Sequence, residues 1–401
     1  MVVKISNSEC YDGCKESTVS SNELKSRKVS VCHISTVHPH TDVRIFHREC
    51  CSLVKAGYEV HLVIPCGESC IKEGVHFHSI RRVRNRFLRM LIMPWAAMWI
   101  ALKTQSSIYH YHDPELLFMG FMLKWIFCKK VVFDIHEAVV RSLTSKSYLP
   151  QFTRKPMSLC YQFLERIFIT GQALVIANKN SEQDYTKKTY LVQNYPLLDE
   201  ETIRFAEART KMPEVPLFVY VGVVAKVRGA EVSIDLAAKL VEREHDFRMQ
   251  IIGQYSAVYG NKLKLKIKEL NLQNVVQLPG HMNWFEAMKL VSNASIGMCL
   301  LLPTPNYTTC LATKIIEYMM CGTPVLCSKY DHWKPYVEGE GTGMMVDPTN
   351  IDEVADVSEK MLSDPDELVV MGRRGVAAVR NKYNWESEFK TLLKCYDDLL
   401  K

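Results

Sequence analysis

Residues 28–65, KVSVCHISTVHPHTDVRIFHRECCSLVKAGYEVHLVIP, decide the fold class. VSVCHIS, from Val29, is short and β-rich and ends in a polar loop. IFHRECCSLVKAG then sets apolar residues at helical spacing and stops at Gly57, a residue suited to a C-cap. YEVHLVIP follows as a second strand. Strand, loop, helix and strand in that order form a βαβ unit, which calls for a parallel sheet with right-handed crossovers.

The same rhythm continues outward. IYHYH (108–112), KVVFDIH (130–136), ALVIAN (173–178) and TYLVQN (189–194) read as further strands, with an apolar helix around LLFMGFMLKWIF between the first two. Asn194 to Pro216 is polar and aperiodic, which suits a linker. A second parallel series starts at LFVYVG (217–222). It continues through RMQIIG (248–253), VVQLPG (275–280), ASIGMCLL, TPVLCS and GMMVD, with helices over 231–243, 261–270, WFEAMKLVSN and KIIEYMMCG. The last stretch, 385–400, lines up Phe389, Leu392, Leu393, Tyr396 and Leu399 on one helical face. Residues 1–27, polar and without periodicity, read as a disordered tail.

Composition narrows the class. At about 100–200 residues per domain, 401 residues make two or three domains. A content of 47% hydrophobic and 23% charged residues excludes a disordered chain and a multi-span membrane protein. The net charge of +6 is unevenly placed: 331–401 holds 15 acids and 9 bases, so 1–330 carries +12. An anionic partner therefore meets the N-terminal part. The start shows no secretory h-region, which implies free thiols in a reducing compartment, buried singly as small apolar residues for nearly all of the 14 cysteines. Met90–Leu102, the longest uninterrupted apolar run, contains Pro94 and falls short of the roughly 20 residues a membrane span needs.

In open parallel sheets ligands bind beyond the carboxyl ends of the strands, and those positions are polar here. After the first strand come His38, His40, Asp42 and Arg44; after 108–112 come His112, Asp113 and Glu115; at 134–137 stand Asp134, His136 and Glu137. Any one such histidine is more often a surface or satisfied core residue, but their clustering at strand ends argues for a site. In the second half Gly222 to Gly229 follows a strand and opens a helix. Its backbone N–H groups, with Lys226 and Arg228, suit a phosphate. Lys314 and Glu317, three apart at a helix start, offer a cation and an acceptor for sugar hydroxyls.

Asn306 to Pro324, with the loop before KIIEYMMCGTPV, resembles the donor-binding segment of GT-B glycosyltransferases of retaining family 4. HPHTDVRIFHRECCSLVKAGYEVHLV, HDPELL (112–117), DIHE (134–137) and QNYP (193–196) resemble the bacterial polysaccharide and O-antigen assembly branch of that family. The resemblance covers about 28–398. It implies an α/β chain of two Rossmann-like domains facing a cleft: 28–194 for the acceptor, joined by the C-terminal helix 385–401 crossing back, and 195–384 for the donor. It places His136 at the reaction centre, with Asp42, Asp113 and Glu137 as candidates for the acceptor's base. Donor contacts fall to Gly222, Lys226, Arg228, Gly253, Asn306, Thr309, Lys314 and Glu317. The family's usual basic residue after Gly222 is Val223 here, with Lys226 as its expected substitute, and the first of its two glutamates eight apart is Thr309.

The implied reaction moves a sugar, with retention, from a nucleotide diphosphate sugar such as a UDP- or GDP-sugar to a glycan or lipid-linked acceptor. No cofactor is implied. No metal is expected either, since the Asp364-Pro365-Asp366 sequence reads as a helix cap rather than a cation site. Arg44, Arg81, Arg82, Arg84, Arg86 and Arg89, beside Trp95 and Trp99, suggest contact with the acceptor and an anionic membrane surface. A nucleic-acid partner is not expected. This places the protein in the cytoplasm, peripheral on the inner face of the membrane. Two other readings stay open: a catalytically inactive GT-B binding or scaffold protein, motivated by Thr309 and Val223, and a GT-B nucleotide-sugar epimerase.

Overall fold

The computed structural model describes residues 28–83, 85–136, 151–304 and 307–401. The tail expected over 1–27, together with Arg84, Glu137 and Asn306, lies outside the described residues, as do the side chains of Arg86, Phe87 and Gln151. In the first half the chain forms β1 (Ser30–Ile34), α1 (43–55, π-wound over Val43–Cys50 and α-wound over Cys51–Lys55), β2 (Glu59–Ile64), β3 (Ile71–Lys72) and β4 (Val75–Ser79). It continues with α2 (Arg86–Lys103), β5 (Ile108–Tyr111), α3 (Leu117–Trp125), β6 (Lys130–Ile135), α4 (Gln151–Phe168), β7 (Ala173–Ile176) and β8 (Thr189–Leu191). The second half holds α5 (Glu200–Glu207), β9 (Leu217–Val221), α6 (Ala230–Glu242), β10 (Arg248–Ile252), α7 (Ala257–Glu269), β11 (Val276–Gly280), α8 (Trp284–Ser292) and β12 (Ile296–Cys299). It ends with α9 (Thr313–Met320), β13 (Val325–Ser328), α10 (Lys334–Val337), β14 (Gly343–Val346), α11 (Ile351–Leu362), α12 (Pro365–Asn381) and α13 (Trp385–Leu400).

Two sheets result, ordered β3-β4-β2-β1-β5-β6-β7-β8 and β11-β10-β9-β12-β13-β14. Every pairing is parallel except β3 with β4. Apolar clusters cover both faces of each sheet, so the central strands are buried on both sides and read as near-continuous apolar runs. The expected α/β architecture of two parallel sheets is present.

Several helix starts follow from single residues. Asn350 and Asp364 accept the backbone N–H three residues on, and Asp364 does so from Glu367 at 2.9 Å, with Pro365 at the first helical position. That arrangement is the cap expected for the Asp364-Pro365-Asp366 sequence. α13 returns to the first sheet as anticipated. Trp385, Leu392, Cys395 and Tyr396 are buried against the α1 face, and Trp385 Nε1 donates to Ser52 Oγ at 2.8 Å.

Local readings are corrected in four places. The linker over 195–216 contains α5, whose Ile203 and Ala206 join the core of the second sheet. The β3–β4 hairpin and α4 were missed. The apolar run 90–102 is part of a longer helix that continues through Pro94, with Met93, Ala97, Met98 and Ala101 buried and Leu91, Trp95 and Trp99 exposed. Finally, the described cysteines are free, but Cys70, Cys128 and Cys160 are exposed rather than buried.

Candidate functional site

The two-residue repeat of strands builds the first half of the site. His33 on β1 sits in register with His110 on β5. His112, Asp134 and His136 follow at even spacing along β5 and β6, so all five share the sheet face covered by α1 and α13. Asp134 is the hub. Arg44 on α1 grips it with two bonds, Nε to Oδ2 at 2.8 Å and Nη2 to Oδ1 at 2.9 Å, while His112 Nδ1 and His136 Nε2 lie 3.1 and 3.0 Å from Oδ2. Burial alone would raise the Asp134 carboxyl, but the Arg44 charge and then the two histidines hold it well below the usual carboxylate range.

Arg44 is therefore not the acceptor or membrane contact expected of it. It is buried, and its remaining nitrogen donates to Val192 O at 2.9 Å and Asn194 Oδ1 at 2.8 Å, which accounts for the asparagine of QNYP. Asp113 is also corrected as a candidate base. Its Oδ2 already accepts from Ser35 Oγ at 2.9 Å, Thr36 N at 2.6 Å and Val37 N at 3.1 Å, so it fixes the loop after β1. Asp42 caps α1 through Arg44 N at 2.9 Å and Ile45 N at 3.0 Å and bonds His38 Nδ1 at 3.0 Å. Those bonds outweigh its burial and hold it below the usual range, which makes it a poor base.

Two histidines remain open to solvent. His38 and His136 keep 27% and 19% of their side chains exposed and lie 5.0 Å apart, centroid to centroid, above the sealed layer. Burial pulls His38 down, but its bond to Asp42 and the charges of Asp113, Asp42 and Asp134 win, so it is raised. Beneath them burial pushes His33 and His110 well below the ordinary imidazole range and His112 down to about 4.

The second half is built differently. Gly222 and Gly253 end β9 and β10 at positive φ, and a Cβ at Gly253 would collide with the Gly222 carbonyl oxygen. Lys314, in the first turn of α9, extends its Nζ to within 3.2 Å of where a Gly222 Cβ would stand. It lies 3.7 Å from the centre of the Tyr220 ring and has no hydrogen-bond partner. Burial pushes its ammonium down to about 8. The N-cap of α9 is Ala312, whose side chain caps none of the first-turn N–H groups.

Arg228 Nε donates to Tyr307 OH at 3.2 Å. Lys226 is exposed, so the buried cation here is Lys314 rather than the expected substitute. Glu317 is partly buried; burial raises it while Arg48 on α1 and Lys314 pull it back, which links the two halves electrostatically. A direct clasp joins them as well: Asn178 Nδ2 and Asn180 Nδ2 donate to Thr309 O at 3.0 and 2.7 Å. Thr309 thus contributes its backbone, not a carboxylate.

Among the arginines after β4, Arg81 and Arg82 are exposed, but Arg89 pairs with Glu115 at 3.1 Å, which corrects its assignment to a membrane partner. Two groups of described side chains converge closely enough to hold a metal ion, His33 with Glu49, His110 and His112, and His112 with Asp134 and His136. Glu49 and Arg48 were not found from the sequence. Their only signal was charge on the buried side of an amphipathic helix.

Comparison with known proteins gives two family profiles in tandem: Glycosyltransferase Family 4 over 43–197 and Glycosyl transferases group 1 over 199–377. The D-inositol 3-phosphate glycosyltransferase of Corynebacterium jeikeium is 24% identical over 45% of this chain and 43% of its own length. An uncharacterized glycosyltransferase of Methanocaldococcus jannaschii is 22% identical over 86% and 90%. The first relatives are thus matched over only about half their length.

Among solved structures, sucrose-phosphate synthase from Thermosynechococcus elongatus superposes with a TM-score of 0.72 at 16% identity, covering 93% of this chain and 99% of that one. The Anabaena HepE protein in complex with UDP-glucose gives 0.67 at 11%, covering 92% and 99%. One profile falls on each half, in order and with a single residue between them, and the two sheets share the architecture of these neighbours. The chain belongs to the GT4-like glycosyltransferases of GT-B fold.

Proposed function

We propose that this glycosyltransferase moves a sugar, with retention at the anomeric carbon, from a nucleoside diphosphate sugar to a hydroxyl of a glycan or lipid-linked acceptor in cell-surface polysaccharide assembly. The observation that carries the donor assignment is Lys314: a buried ammonium without a hydrogen-bond partner, beside a loop cleared by glycines. An isolated buried charge is costly, and a diphosphate restores the balance. The binding of UDP-glucose by the Anabaena neighbour supports the same reading.

In this account Lys314, Arg228 and the first-turn amides of α9 receive the charge that develops on the leaving diphosphate, and no catalytic metal takes part in that step. His136, held by Asp134, contacts the sugar and stabilises the oxocarbenium-like transition state. Glu317 accepts from donor hydroxyls. The test is to incubate the chain with a panel of nucleotide sugars and acceptors, following nucleoside diphosphate release and the anomeric configuration of the product. Release coupled to an α-linked product from an α-linked donor is expected. Failure to turn over any donor favours an inactive binder, and conversion without acceptor favours an epimerase. If brief EDTA treatment abolishes turnover and divalent ions restore it, the assignment of the leaving-group charge to Lys314 is wrong.

The acceptor side adds a membrane reading. No helix among the described residues is long and apolar enough to cross a membrane. Instead α2 exposes Leu91, Trp95 and Trp99, and α4 exposes Phe152, Leu159 and Phe163. Phe118 of α3 joins them, its ring 5.9 Å from Trp95 and 5.6 Å from Phe168. With Arg81 and Arg82 exposed just ahead of α2 and Lys155 exposed on α4, these apolar residues have the composition of a surface that rests on anionic lipid.

A further inference from the structure

We propose that His33, His110, His112 and Glu49 form a buried site for one zinc-type divalent cation, which ties β1, β5 and α1 together beneath the reaction centre. The four side chains are sealed from solvent and bring one ligand atom each within 4.8 Å of one another. His33 Nδ1 lies 3.0 Å from His112 Nε2 and 3.5 Å from Glu49 Oε2; Glu49 Oε2 lies 3.8 Å from His112 Nε2 and 3.9 Å from His110 Nδ1. Metal–ligand bonds of about 2.0–2.2 Å in a tetrahedron separate neighbouring ligand atoms by roughly 3.3–3.6 Å, so small side-chain adjustments close this set on an ion.

The hydrogen-bond inventory points the same way. Asp134 takes a hydrogen from His112 Nδ1, which leaves His112 Nε2 a lone pair aimed at His33 and Glu49. A proton on His33 Nδ1 would satisfy that lone pair alone. Both oxygens of Glu49 would still lie in the core without a hydrogen-bond partner, while His110 Nδ1, the nitrogen on the Glu49 side, meets Tyr396 OH at 2.7 Å and would exchange that hydroxyl for the ion. Arg44 Nε stands 3.2 Å from Glu49 Oε1, but its hydrogen goes to Asp134. A cation satisfies the convergent lone pairs together.

The surroundings also match what a metal-binding imidazole needs on its far nitrogen. His112 has the Asp134 carboxylate there, and His33 Nε2 has Tyr396 OH at 3.3 Å, the outer-shell partners that fix tautomer and ring orientation. Because Arg44 already neutralises Asp134, the charge left for the ion is that of Glu49. Three neutral imidazoles with one carboxylate and no solvent-open position describe a structural rather than a catalytic site.

The experiment measures metal in the full chain expressed in zinc-supplemented medium. Elemental analysis is expected to give about one zinc per chain, retained through brief EDTA dialysis because the ligands are sealed and released on unfolding in guanidinium. Chain produced with cobalt in place of zinc should show the intense visible absorption of a four-coordinate Co(II) centre. Glu49→Gln keeps the shape of a protonated glutamate and would preserve a purely hydrogen-bonded cluster, so a loss of zinc by about tenfold or more in that variant supports ligation. His33→Gln serves as the second variant should the first fail to fold. Wild-type chain with less than about a tenth of an equivalent of zinc and no cobalt spectrum overturns the site. Wild-type zinc levels persisting in a folded variant overturn it too, because the ion would then be bound elsewhere.

Discussion

The strand ends of the two sheets solve opposite electrostatic problems. On the first sheet the charges at the strand ends are answered from within, Arg44 by Asp134, Asp42 by His38 and a helix start, Asp113 by the loop after β1, and only deeper, at Glu49, do carboxylate oxygens lack a hydrogen-bond partner. On the second, Lys314 is buried with no hydrogen-bond partner, met only by the Tyr220 ring at 3.7 Å and the weaker pull of Glu317. A saturated network is rigid and holds a reacting group in place. A frustrated one stores an unmet interaction until the ligand arrives. On the proposed function the first half preorganises the chemistry and the second half binds the donor's charge, and the difference can be probed by removing one cation from each.

Arg44→Met should cost the most. It strands Asp134 as an uncompensated buried carboxylate, so a loss of about 3–5 kcal/mol is expected in denaturant unfolding. Lys314→Met is predicted to leave stability unchanged or to raise it by about 1 kcal/mol, since it removes a buried charge that has no hydrogen-bond partner. Equal losses in the two variants would break the comparison. His136→Ala should keep the fold and lower kcat about 10²–10⁴-fold, and near-full activity would remove His136 from the reaction centre.

Lys314→Met should lower kcat/KM for the donor about 10²-fold. The pH dependence sharpens this further. Burial sets the folded Lys314 at about 8, so the ammonium is lost as pH rises through that value, and donor kcat/KM should fall above it, a decline that Lys314→Arg abolishes. Stability of the free chain moves the other way. The unfolded lysine holds its proton to about 10.4, so between about 8 and that pH the unfolded state binds more protons and stability rises with pH. The smallest effect is at the rim: Arg81→Glu with Arg82→Glu should weaken flotation with anionic vesicles by about 1 kcal/mol per residue, and unchanged flotation would argue against lipid there.

Much of this was legible in the sequence. The period-2 strands, the βαβ order, the helix-capping Asp364 and the amphipathic α13 are local signals, and they placed both sheets and the returning helix. The polar strand ends pointed to His136 and to Lys314 with Glu317. What the sequence could not show was pairing across long separations. Arg44 reads as an exposed arginine until its partner, 90 residues away, is known. Asp113 looks like a free carboxylate until three donors from 35–37 converge on it. Glu49 and Arg48 sit on the buried side of a helix, where pattern analysis expects apolar residues, and only the fold shows what they face. Helix α4 was missed although its exposed apolar residues belong to the surface proposed to meet lipid. Those residues dilute the amphipathic contrast that periodicity depends on.

The most direct measurement is calorimetric titration of UDP and GDP into the wild-type chain and into Lys314→Met at pH 7 and pH 9. One nucleoside diphosphate should bind the wild type at one site, more weakly at the higher pH, and bind the variant at least about tenfold more weakly at pH 7. Binding equal in wild type and variant and indifferent to pH, or no binding of either nucleotide, would contradict the assignment of Lys314 as the cation that receives the donor's diphosphate.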